Sequence, residues 1–146
     1  MKNFTRTVGA VMALWLSPCV AASDAMKEIM LDLSDGMTQI NAGIWREDYQ
    51  GVAAGAASIA EHPMPPFLQR IKLLAELGGD SSAFMRADDA MREAALDLKK
   101  AAMSERTDEV LVNYKVLHQR CVDCHSWYRG KSAAQTQAPG REDNGK

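Results

Sequence analysis

Apolar residues recur along this chain at alternating spacings of three and four positions, which is typical of helices that bury one face. The first such segment predicts a helix from about Asp24 to Ile44, and its apolar positions are Met26, Met30, Leu33, Met37, Ile40 and Ile44. The last predicts a helix from about Asp108 to Arg129, ended by Gly130, and its seam is Val110, Tyr114, Leu117, Cys121, Cys124 and Tyr128. This spacing indicates helices that pack in a bundle.

Two further helices and one short helical piece are predicted between these segments. One helix covers about 46–61 and stops in the proline-rich stretch 62–66, because proline cannot continue the backbone hydrogen bonds of a helix. The short piece covers 67–77 and is closed by a pair of glycines, and the next helix covers about 80–103 with the polar Asp88 in its apolar stripe. No stretch alternates apolar and polar residues as a half-buried strand does. The pattern therefore predicts an all-α fold.

The start of the chain has the features of an export signal. Lys2 and Arg6 precede an apolar run from Val8 to Leu16, and the small residues at 20–22 fit a cleavage site. The run is too short to span a bilayer as a stable helix, so we expect a periplasmic protein with no membrane span after cleavage. An uncleaved anchor and a lipid anchor at Cys19 are the alternatives.

This organisation predicts three segments: a signal peptide at 1–22, one helical domain at 23–130 and a disordered polar tail at 131–146. Loss of Lys2 and Arg6 would leave 15 basic residues against 19 acidic ones, so the charge would change from −2 to −4. No basic patch with interleaved aromatic residues is present, which argues against nucleic acid as a partner.

The candidate chemistry lies in Cys121-Val122-Asp123-Cys124-His125, a C-x-x-C-H motif. Because residues i and i+3 share a helix face, both thiols can reach the two vinyl groups along one edge of a haem, and the adjacent imidazole is carried under the iron. With Cys19 removed, these are the only two cysteines of the chain. The motif therefore predicts one covalently attached haem c, bound through Cys121 and Cys124, with His125 as an iron ligand.

The cysteine pair has two other interpretations, a zinc site and a redox pair. A zinc site needs further Cys or His ligands at suitable spacing, and only His62 and His118 remain in the chain. A thioredoxin-like redox pair expects strands around it, and none is predicted. His118 lies about two turns before His125, so we expect it near the haem edge or on the surface, and we expect His62 on the surface.

The sequence from Cys121 to Arg129, Cys-x-x-Cys-His followed by x-x-Tyr-Arg near the C-terminus, resembles the cytochrome c′ family and its methionine-ligated, low-spin relatives. Further similar elements are Ile29-Met30, Gly36-Met37 and the acidic Glu47-Asp48-Tyr49. The resemblance covers roughly Asp24 to Arg129. It implies an antiparallel four-helix bundle with the haem between helices.

The resemblance also implies roles for two further residues. In low-spin members a methionine of the first helix binds the iron opposite the histidine, and Met30 falls at the matching position. The residues alone leave Met37, Met26 or no methionine open, because all three methionines lie on one seam. Arg129 matches an arginine that lies beside the haem in the family, where it could pair with a propionate or screen the iron site. The alternative is a cation at the C-terminal end of a helix.

These features predict a periplasmic mono-haem c-type cytochrome that carries single electrons between periplasmic redox proteins, rather than an enzyme. The alternative is a five-coordinate protein that binds nitric oxide or carbon monoxide, which the family includes. A peroxidase would need a distal acid–base group, and the sequence offers no good candidate. Bundles of this type often pair through their first two helices, so a homodimer is also an expectation.

Overall fold

The computed structural model describes residues 21–136, which form five α-helices and one turn of 3₁₀-helix, with no strand in that range. The all-α prediction is confirmed. The helices are α1 (Ala21–Arg46), α2 (Tyr49–Ala60), α3 (Phe67–Leu77), α4 (Ser81–Met103) and α5 (Thr107–Thr136). Across these described residues, no helix combines the length and the apolar character that a membrane crossing needs.

The turn between α1 and α2 is closed by backbone hydrogen bonds that satisfy the last carbonyls of α1. The N–H of Glu47 donates to Ile44 and the N–H of Asp48 donates to Gly43, at 3.3 and 2.9 Å, which is the Schellman pattern. Glu47 takes the left-handed conformation at φ 55°. The Asp48 side chain then caps α2 by accepting a hydrogen bond from the N–H of Gly51 at 2.9 Å.

Helices α1 and α2 run antiparallel and approach closely at glycines. A Cβ placed on Gly55 would lie 2.8 Å from the carbonyl oxygen of Gly36, and one placed on Gly36 would lie 2.8 Å from Cγ1 of Ile59. Further along, Gly43 faces Val52 in the same way. Since real side-chain carbons do not approach this closely, the two backbones can meet only where glycine is present.

The helices pack in chain order, α1 on α2, α2 on α4 and α4 on α5. Their shared core combines large aliphatic side chains with alanines, which lets the helices lie close together. The largest fully buried side chains are Ile40, Ile59, Leu98, Leu117, Val52 and Val110. Each contributes about 1.5–3 kcal/mol to the free energy of folding.

The predicted helix boundaries hold within a few residues except at the end of the chain. Helix α5 continues through Gly130 to Thr136, so the prediction that Gly130 ends it is wrong. One glycine costs a helix only about 1 kcal/mol relative to alanine, and 131–136 contains no proline. The remainder of the predicted tail, 137–146, lies outside the described residues, as do 1–20, with most of the predicted signal peptide and Cys19.

Candidate functional site

Helix α5 carries the C-x-x-C-H residues on consecutive turns. Cys121 and Cys124 are half-buried and neither is in a disulfide, while His125 is exposed. The two cysteines are three residues apart, a rise of about 4.5 Å along the helix axis. The sulfurs therefore project from one face of α5, with the imidazole of His125 on the neighbouring position.

A cavity of about 410 Å³ lies between α1 and α5, and residues of α4 form its base. Helices α1 and α5 flank it without packing on one another, since no described α-carbon of α1 comes within 8 Å of α5. Packed helices usually have axes about 8–10 Å apart, so this side of the molecule is open. The lining residues include Met30, Leu33, Met37, Phe84, Met91, Tyr114, His118, Cys121, Cys124 and His125.

The cavity brings together most of the residues that the sequence singled out. Cys121, Cys124, His125 and Met30 all line it. Met37 lines it as well and Met26 does not. Of the three candidate methionines, two therefore face the space beside the cysteines.

Arg129 does not line the cavity, and its side chain is exposed. Its role beside a propionate stays a prediction. The alternative, a cation at the end of the helix, is wrong, because α5 continues for seven residues beyond Arg129 to Thr136. The dipole effect falls off within the last turn of a helix.

The two thiols are held as neutral groups. Burial raises the pKa of Cys121, and the neighbouring Cys124 raises it further. Burial also raises the pKa of Cys124, and the charge of Asp88 adds to the increase. Both cysteines therefore stay protonated at neutral pH, because the thiolate is disfavoured in this environment.

The expectation that His62 lies on the surface is wrong, because its side chain is only 5% exposed. Its Nδ1 lies 2.8 Å from the carbonyl oxygen of Ile59, and since a carbonyl only accepts, this nitrogen carries a proton. Its Nε2 lies 3.1 Å from Oδ1 of Asp88 and 2.9 Å from Nη2 of Arg92. Both partners are on α4, remote in sequence, and they compensate for the burial of the ring.

Asp88 is the polar residue that interrupts the apolar stripe of α4, and the structure supplies its partners. Arg92 donates from Nε to Oδ2 of Asp88 at 2.9 Å. Arg92 also donates to the carbonyl oxygens of Ala60 and His62 at 2.8 and 2.9 Å. The sequence offered a signal for part of this cluster, since opposite charges four residues apart meet on a helix face. His62 had no comparable signal.

The cavity is lined by side chains that could hold a haem, namely two thiols, an imidazole and thioethers. Among residues 21–136, no three side chains of His, Cys, Asp or Glu come together to hold a metal ion. A haem iron needs only one or two axial ligands from the protein. The cavity volume of about 410 Å³ lies in the range of about 300–1,000 Å³ typical of cofactor and ligand sites.

Comparisons with known protein families, with characterised proteins and with solved structures found no match to this chain.

Proposed function

We propose that this protein is a periplasmic mono-haem c-type cytochrome that carries single electrons. One observation carries the proposal: Cys121, Cys124, His125 and Met30 line the same cavity between α1 and α5. The two helices are far apart in the chain, and their placement on either side of the cavity brings the thioether of Met30 to the same space as the thiols and imidazole of α5.

Each of these side chains has a defined part in the proposal. Cys121 and Cys124 would hold the haem through thioether bonds, and His125 and Met30 would supply ligands to its iron. The haem supplies a one-electron iron couple when bound, and histidine–methionine ligation leaves no open coordination site and raises the potential. In this interpretation α1, α2, α4 and α5 form an antiparallel four-helix bundle, with the haem between α1 and α5.

The expected partners are periplasmic redox proteins. The α1–α5 side is open, so an electron can reach the cavity without a change in the fold. Redox encounters need only a small contact area, under about 1,200 Å². We also propose a homodimer that forms through α1 and α2, and light scattering of the purified protein measures its mass in solution.

The first experiment tests the covalent haem. The full chain is expressed with a haem-attachment system, and the product is examined by mass spectrometry and by haem staining of a denaturing gel. We expect one haem that survives denaturation, and its loss when Cys121 and Cys124 are both replaced by alanine. Colourless protein, with no mass added to the chain, would sink the proposal.

The second experiment tests Met30 and separates the two haem functions. We expect low-spin spectra that carbon monoxide does not change, and conversion to high spin in Met30→Ala. Met26→Ala is the matched control, because Met26 lies on the same helix but does not line the cavity. A wild-type protein that is high-spin and binds carbon monoxide would favour the gas-binding alternative. Conversion to high spin in Met37→Ala but not in Met30→Ala would identify Met37 as the ligand.

A further inference from the structure

Asp88 is the only carboxylate among the described residues that line the cavity. Its side chain is 22% exposed, so water screens its charge less than that of an acidic group on the surface. The neighbouring Asp89 is exposed and does not line the cavity. The two aspartates are therefore a matched pair, one facing the cavity and one facing solvent.

The carboxylate of Asp88 is fixed from two directions. Nε of Arg92 donates to Oδ2 at 2.9 Å, and Nε2 of His62 lies 3.1 Å from Oδ1. Arg92 is itself tied to the carbonyl oxygens of Ala60 and His62. The cluster of His62, Asp88 and Arg92 thus joins the end of α2 to α4, and it holds one negative and one permanent positive charge at defined positions.

The charge of Asp88 is present at neutral pH and reaches the motif helix. Burial alone would raise the pKa of Asp88, but its side-chain contacts with His62 and Arg92, with the charge of Arg92, lower it below its ordinary value. Asp88 on α4 and Cys124 on α5 line the same cavity. A group bound in that cavity through Cys124 therefore lies within the field of Asp88.

We propose that the His62–Asp88–Arg92 cluster sets the reduction potential of the haem, with Asp88 lowering it and Arg92 opposing that effect. This inference rests on the proposed function. Gain of one electron makes the iron centre less positive by one charge. A fixed negative charge nearby therefore stabilises the oxidised form over the reduced form, and a fixed positive charge does the reverse.

The test measures midpoint potentials of the haem-loaded protein by spectroelectrochemical titration. Asp88→Asn should raise the potential and Arg92→Gln should lower it, while Asp88→Glu and Arg92→Lys, which keep the charges, should shift it less than the charge-removing variants do. Asp89→Asn is the control and should leave the potential close to that of the wild type. Shifts of opposite sign are the signature of charge, because Asp88→Asn removes a negative charge and Arg92→Gln removes a positive one.

Three results would overturn the inference: equal shifts in Asp88→Asn and Asp89→Asn, shifts of the same sign in Asp88→Asn and Arg92→Gln, or no shift in Arg92→Gln. If Asp88→Asn fails to fold, as judged by circular dichroism, the potentials of Arg92→Gln and Arg92→Lys are compared instead. A lower potential in Arg92→Gln than in Arg92→Lys supports the inference, and equal potentials overturn it. Wild-type protein without covalent haem would instead refute the proposed function, so the two failures are distinguishable.

Discussion

Asp88 should make the stability of the protein depend on pH in a predictable direction. Its pKa is lowered in the folded protein from an ordinary value of 3.8. The ionised form is therefore favoured by folding, and its contribution is present above pH 3.8 and lost as the pH falls through the lower folded value. We expect Asp88→Asn to cost about 1–3 kcal/mol of unfolding free energy at neutral pH.

Urea unfolding measures this contribution to stability when it is carried out at neutral pH and at a pH below the pKa of the free carboxyl group. The difference between the wild type and Asp88→Asn should narrow in acid. Asp89→Asn should unfold like the wild type at both pH values, within about 0.5 kcal/mol. A difference that stays constant across the range would show that the ionisation of Asp88 does not contribute to stability.

The thiols provide a second prediction at the scale of single residues. Burial and neighbouring groups raise the pKa of Cys121 and Cys124 from 9.0, so haem-free protein should react slowly with iodoacetamide at neutral pH. Half-maximal reactivity is expected above pH 9.0 in the folded chain, and nearer the ordinary value in urea. Asp88→Asn should speed labelling of Cys124 more than that of Cys121, as peptide mapping would measure.

Among the helices, the α1–α2 crossing should be the least tolerant of added volume. In Gly55→Ala the new methyl carbon would lie 2.8 Å from the backbone carbonyl oxygen of Gly36, so the helices must separate at a cost of about 1–3 kcal/mol. Gly79→Ala is the control, since nothing lies within 4 Å of its added carbon. Thermal unfolding of both variants measures the difference, and an equal midpoint would contradict the close approach.

The turn between α4 and α5 should accept a stabilising substitution. Glu105 follows the end of α4 in the left-handed conformation, at φ 54°, which costs a residue with a Cβ about 1–2 kcal/mol. Its N–H donates to the carbonyl oxygen of Ala102 at 3.0 Å, a bond that glycine retains. We expect Glu105→Gly to raise the unfolding free energy by about 0.5–1 kcal/mol in urea titrations. A loss of stability would mean that the Glu105 side chain makes a contribution of its own.

The helices could be predicted because their signals are local. Apolar spacing marks α1 and α5, and the prolines after α2 and the glycines after α3 mark where those helices stop. The end of α5 could not be predicted from Gly130, because a single glycine weakens a helix without stopping it. The motif residues of the cavity were also readable, since their spacing carries the chemistry.

The burial of His62 and the opening between α1 and α5 could not be predicted in the same way. His62 finds its partners 26 and 30 positions away on α4, and no local pattern encodes that contact. Likewise, the apolar seams of α1 and α5 are those of packed helices, yet the two helices remain apart. Such a distance depends on how every intervening helix packs.

At the scale of the whole molecule, an occupied α1–α5 cavity should stabilise the protein. A group that binds only the folded state shifts the folding equilibrium towards it. We expect haem-loaded protein to unfold at a higher temperature than the variant in which Cys121 and Cys124 are alanine. The gain in stability should appear as slower amide hydrogen exchange in α1 around Met30 and Met37, which line the cavity. Equal exchange rates in α1 of both proteins would contradict a site formed by α1 and α5 together.

The packing of α5 links the core of the protein to the position of the C-x-x-C-H motif. Helix α5 packs on α4, and Tyr49 of α2 forms a hydrogen bond with Thr107 at the start of α5. The tilt of α5 therefore depends on its packing against α4, and Leu117 of α5 is fully buried in the shared core. Truncating Leu117 should therefore alter the colour of the loaded protein as well as its melting point, because it moves the helix that carries the motif.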